Sequence, residues 1–60
     1  MFSVKAVIID DEPSAVKLME DMLCRIEGVL VCGNARSLEE GINLVLKHRP
    51  DIVFLDIRLH

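Results

Sequence analysis

Tryptophan and tyrosine are absent from this chain and phenylalanine occurs only twice, so its core must be built from aliphatic side chains rather than large rings. No apolar run approaches the roughly 20 residues that cross a bilayer. Met1 leads directly into an apolar segment, without the basic and hydrophobic regions or cleavage site of an exported precursor. A soluble, cytoplasmic protein with no membrane contact is expected. The chain is also poor in positive charge, with seven Lys and Arg against ten Asp and Glu and a net charge of −3. Its cations are scattered singly, whereas a nucleic-acid surface is basic and clustered, so no direct nucleic-acid contact is expected. Cys24 and Cys32 fall on different predicted elements and form no Cys-x-x-Cys pair. They read as buried free thiols in a reducing compartment, because cysteine packs as a small hydrophobe.

What the chain does have is aliphatic content. Hydrophobic residues make up 52% of its 60 residues, too many for a disordered segment. Sixty residues is about half an ordinary domain, and a fold of this size buries only about 60% of its unfolded surface. Below roughly 70–80 residues, folds usually need a disulfide, a metal or a partner chain. Part of a globular α/β domain, needing something further to cover it, is the reading that fits.

Periodicity divides the chain into five elements. Val4 to Ile9 is β-branched and almost continuously apolar, the pattern of a strand covered on both faces. Pro13 suits the first position of a helix, with Asp11 or Glu12 as its cap. Val16, Met19, Leu23 and Ile26 then recur at helical spacing, predicting an amphipathic helix over roughly 13–26 closed by Gly28. Val29 to Cys32 reads as a second short strand. Ser37-Leu38-Glu39-Glu40 spells a capping box with Ser37 at the N-cap and Glu40 reaching back. The second helix carries Leu38, Ile42, Val45 and Leu46 as its apolar stripe and runs to about His48, where a basic residue suits the helix dipole. Pro50 stops it, and Asp51 to Asp56 forms a third strand. Right-handed β-α-β crossovers with the most apolar strand in the middle give parallel order 2-1-3, with the helices on opposite faces.

The acids are placed by the same topology. The first strand runs into Asp10-Asp11-Glu12 and the third into Asp56, so three aspartates map to the carboxyl ends of adjacent strands. Ligands of doubly wound sheets bind there, where the direction of winding reverses. Crowded carboxylates repel unless a cation or shared protons offset their charge, and hard oxygen ligands suit magnesium. Asp11 and Asp56 are placed to bind such an ion directly and Asp10 through water, with the main-chain carbonyl of Arg58 as a further ligand. Asp56 stands alone at the end of its strand and is the better nucleophile towards phosphorus.

Val7-Ile8-Ile9-Asp10-Asp11-Glu12-Pro13 and Asp51-Ile52-Val53-Phe54-Leu55-Asp56-Ile57-Arg58-Leu59 resemble the two signature segments of bacterial response-regulator receiver domains, and the resemblance runs through all 60 residues. It implies a flavodoxin-like receiver half-domain, residues 1–60 truncated after the third strand. It also implies a phosphoryl group taken from a phosphohistidine of a sensor histidine kinase in a magnesium-dependent reaction. By position Asp56 is the phospho-acceptor, and Asp10 and Asp11 belong to the magnesium pocket. The Asp-Glu-Pro start and Leu-Asp-Ile ending look like receivers joined to DNA-binding outputs of the LytTR type. His60 stands where the family commonly has proline. The hydroxyl residue ending strand four and the lysine ending strand five are absent, which implies impaired phosphorylation and switching.

Two other functions are open to these residues. A third strand with an open edge and unmatched Ile52 and Phe54 favours self-association, as a homo-oligomer or swapped assembly of a purely structural fragment. A phosphatase with an aspartate nucleophile calls for a second aspartate two residues on, where Arg58 stands.

Overall fold

The computed structural model describes residues 3–56. Its elements are β1 (Val4–Asp10), α1 (Pro13–Leu23), β2 (Val29–Ala35), α2 (Leu38–His48) and β3 (Ile52–Asp56). The strands form one parallel sheet in the order β2-β1-β3, the expected half of a flavodoxin-like receiver. Central β1 is the most buried strand because it is covered on both faces. Ile8 packs towards α1 with Val16 and Leu23, whereas Val7 and Ile9 pack towards α2 with Ala35 and Leu44. Strand alternation thus sends neighbouring side chains to opposite helices, as expected. Val7 and Ile8 are the largest side chains fully withdrawn from solvent, each contributing about 1.5–3 kcal/mol on burial.

Local signals set the starts of both helices. Glu12 is the N-cap of α1 and Pro13 follows it, where a missing N–H costs nothing. Ser37 caps α2, its Oγ accepting the Glu40 N–H at 3.2 Å. Glu40 reaches back one residue further than a capping box requires, to the N–H of Arg36 at 3.5 Å. At the far end, Lys5 Nζ donates to the His48 carbonyl at 2.9 Å, and Asp51 exchanges two 2.8 Å bonds with the backbone of Lys5. These contacts bring the chain from α2 into β3.

Several boundaries differ from those predicted. Helix α1 ends at Leu23 rather than near residue 26, because the chain must turn through Gly28 to run alongside Val4. Gly28 has φ 89°, open to glycine and costly for other residues, and its carbonyl accepts the Val4 N–H at 2.6 Å. Ile26 therefore leaves the apolar stripe and is exposed. Cys24, at the C-cap of α1, is exposed rather than buried, and Cys32 is half-buried; both are free thiols. Strand β2 extends to Ala35, three residues past its predicted end, through a register shift: Ala6 pairs with Val31 but Val7 pairs with Gly33. Cys32 is the extra residue, a bulge that breaks the alternation by which strands are read.

The stripe of α2 is rotated from its predicted position. Leu38, Ile42 and Leu46 are at least half exposed, and the side facing the sheet carries buried Gly41 and half-buried Leu44, Val45 and His48. Gly41 allows the close approach, since a Cβ there would lie 2.7 Å from Ile9 Cγ1. Both helices sit over β1 and β2, and neither lies over β3. Among the described residues, no helix is long and apolar enough to cross a membrane.

Candidate functional site

Parallel pairing of β1 with β3 runs from Ala6 opposite Ile52 to Asp10 opposite Asp56. The two aspartates are thus register partners at the last rung of the ladder. Residues paired in a parallel ladder share a face, here the face that also carries Ile8, Phe54 and α1. A cavity of about 140 Å³ opens at this point, lined by Ile8, Asp10, Met19, Phe54 and Asp56 among others. It lies beyond the carboxyl ends of the strands, between β1 and β3, where the direction of winding changes.

The acids differ in their surroundings. Asp10 is buried at 9% exposure, and its Oδ1 accepts the Glu12 N–H at 3.0 Å. That bond fixes the turn from β1 into α1. Glu12 accepts from Ser14 N–H and Oγ, so it serves the helix start rather than the cavity. Asp56 is exposed, and Asp11 is half-buried one residue past the strand. The register therefore sets Asp10, rather than Asp11, directly opposite Asp56, and Asp11 is not among the residues lining the cavity. Among the described residues, no three His, Cys, Asp or Glu side chains are gathered as the ligand set of one metal ion. Arg58 and His60 lie outside the described residues.

Sequence reasoning missed Met19 and Phe54 as walls of the cavity. Both were visible as apolar residues on periodic faces, but only the fold shows that Met19 of α1 lines the same cavity as Asp10 and Asp56.

A parallel α/β unit with paired aspartates at its switch point belongs to the doubly wound class, whose members bind ligands beyond the carboxyl ends of the strands. Comparison with known families narrows the class. Residues 6–60 match the response regulator receiver domain, and the chain belongs to that family. It is 36% identical over 53 residues to the probable C4-dicarboxylate response regulator DctR of Bacillus subtilis, covering 88% of this chain and 24% of that protein. It is 38% identical over 56 residues to the sensory transduction protein LytT of Bacillus anthracis, covering 93% of this chain and 23% of that protein. A protein-glutamate methylesterase/protein-glutamine glutaminase of Oleidesulfovibrio alaskensis is 39% identical over 56 residues, 93% of this chain and 15% of that protein. The chain thus spans a quarter or less of the length of these relatives. No solved structure matches it.

Proposed function

We propose that this chain is the phospho-accepting part of a cytoplasmic two-component response regulator, with Asp56 as acceptor and a sensor histidine kinase as donor. The observation that carries this is the Asp10–Asp56 rung at the switch point of the sheet. An oxygen of the Asp56 carboxylate attacks phosphorus. The new P–O bond makes an acyl phosphate as the P–N bond of the donor phosphohistidine breaks, and the leaving imidazole takes up a proton. Asp56 suits this role because it ends its strand exposed, beside a buried Asp10 that is held in place by the Glu12 N–H.

Carboxylate oxygens are the chemistry a hard dication takes, and Asp10, Asp11 and Asp56, with the main-chain carbonyl of Arg58, are the groups that would hold one. Magnesium, when bound, offsets the negative charge of the carboxylates and of the phosphoryl oxygens. The exposed Asp56 then remains the group free to bond phosphorus. The chain itself is a signalling domain rather than a turnover enzyme. Similarity to LytT supports an output of the LytTR type in the whole protein.

Incubation with acetyl phosphate and magnesium, followed by intact mass, tests this reading. Here the P–O bond to acetate breaks and acetate leaves. We expect a mass increase of one phosphoryl group on a minority of molecules, because these 60 residues supply only the acidic groups of the pocket. The adduct should vanish in Asp56→Asn and on chelation of magnesium. An adduct that survives Asp56→Asn, or its absence from the parent chain, would refute the assignment. Complete modification would refute the impairment.

A further inference from the structure

We infer that Gly41 is a positioning residue for Asp10: the bare backbone of α2 at this point seats Ile9, and Ile9 holds the end of β1 where it meets Asp56. Gly41 is buried against the sheet. A Cβ there would lie 2.7 Å from Ile9 Cγ1 and 3.2 Å from Cγ2, whereas carbon atoms in contact sit about 3.5–4.0 Å apart. The space a side chain would take at residue 41 is therefore already filled by Ile9. Ile9 in turn stands beside the site. It pairs with Leu55 on the rung before Asp10–Asp56 and lines the same cavity as both aspartates.

Neither side of this contact yields freely. Helix α2 is tied to the sheet at both ends: Arg36 and Ser37 alone join it to β2, and Lys5 Nζ holds the His48 carbonyl at 2.9 Å. The backbone of Ile9 is paired on both sides, with Ala35 of β2 and Leu55 of β3. Rotation about χ2 moves only Cδ1 and leaves Cγ1 where it is. A methyl at residue 41 is thus relieved by turning Ile9 about its stiff χ1 or by shifting the last residues of β1. Both movements reach the next residue, Asp10, whose Oδ1 accepts the Glu12 N–H at 3.0 Å.

Gly33 shows the contrast. A Cβ there would meet only the end of the Leu44 side chain, at 3.3 Å from Cδ2, and that side chain can give way without moving β1. Of these two glycines facing each other's elements across the α2 side of the sheet, Gly41 alone has a route to an aspartate. The link from Gly41 to Asp10 stands on packing; that Asp10 then helps to hold a cation rests on the function proposed above.

Nuclear magnetic resonance of the intact, isotopically labelled chain tests this at the Glu12 amide, which reports where Asp10 sits. In Gly41→Ala that amide proton should move upfield and exchange with solvent at least ~10-fold faster, the scale of a lost hydrogen bond to a charged group. The rate is read against the Cys24 amide, held by the Glu20 carbonyl at 2.9 Å, because global unfolding would speed both alike. Gly33→Ala should leave Glu12 unchanged. Ile9→Val removes Cδ1, and with Gly41→Ala in the double variant it should return Glu12 towards the parent values. Should Gly41→Ala fail to fold, Ile9→Val alone carries the test, since a partly emptied seat also loosens Asp10 and should speed Glu12 exchange. Magnesium titration adds a second arm: its midpoint should rise about 10-fold in Gly41→Ala, as when the support of a metal ligand is disturbed, and recover in the double variant. A Glu12 amide unmoved by Gly41→Ala, an equal response to Gly33→Ala, or no recovery in the double variant would overturn the proposal. A parent chain indifferent to magnesium would instead refute the cation site, and the Glu12 amide would still decide the role of Gly41.

Discussion

Replacing Gly41 with alanine sets two known effects against each other at one point of the fold. Glycine inside a helix costs about 1 kcal/mol relative to alanine, so propensity alone makes the variant more stable by that amount. Packing opposes it. The added Cβ would lie 2.7 Å from Ile9 Cγ1 and 3.2 Å from Cγ2, and closer still to Cδ1. Contacts this short require movement, yet Ile9 is β-branched and stiff at χ1, and its strand neighbours Ile8 and Asp10 are buried. Overpacking of this kind costs about 1–3 kcal/mol. Crowding from three atoms of one side chain belongs in the upper part of that range, so sterics should win by about 1 kcal/mol. For so small a domain the melting temperature should then fall by about 4–8 °C. Thermal and urea unfolding followed by circular dichroism measure this. Ile9→Val removes the Cδ1 atom that the added methyl would strike hardest. Alone it should cost about 0.5–1.5 kcal/mol, but the double variant should be more stable than the sum of the singles predicts by at least ~0.5 kcal/mol. A more stable Gly41→Ala, or strictly additive singles, would refute the close contact between α2 and β1.

Two further substitutions test the ends of α2. Arg49 sits at φ 47° and ψ 60° after the last helical turn, a left-handed conformation that costs a side-chain-bearing residue about 1–2 kcal/mol; Arg49→Gly should raise the urea midpoint, and a lowered midpoint would contradict that geometry. Ser37→Ala removes the oxygen that accepts the Glu40 N–H and should cost about 1 kcal/mol, read as a lower melting temperature, while Ser37→Asp should restore most of it.

Much of this architecture was legible because aliphatic periodicity and capping chemistry are local. The order of elements, the central place of β1, Pro13 at the start of α1 and Ser37 at the start of α2 all follow from a few adjacent residues. What escaped depends on contacts between elements. Gly41 carries no side chain, so it is invisible to any hydrophobic pattern, and that pattern points to Leu38, Ile42 and Leu46 as the inward face of α2 instead. Ile26 continues the helical spacing of α1, but the backbone has already turned towards Gly28. Cys32, Gly33 and Asn34 look like the end of a strand, because nothing local announces that the ladder resumes one residue later. At the site, local pattern puts Asp10 and Asp56 at the ends of two strands. Only the pairing register decides that Asp10 rather than Asp11 faces Asp56.

The bulge at Cys32 changes which residues of β2 serve which helix. Before it, Val29 and Val31 pack with the α1 cluster; after it, Ala35 packs with the α2 cluster, although all three are odd-numbered. The shift is absorbed at one position, with Val31 and Gly33 meeting consecutive residues of β1. Losing Cys32 would therefore leave every other rung of this ladder intact and every remaining side chain of β2 pointing as it does now. A one-residue deletion elsewhere in the strand would turn part of it inside out. A change of chain length within this sheet therefore has a seam at Cys32, where its cost is the packing of one half-buried thiol against the α2 cluster.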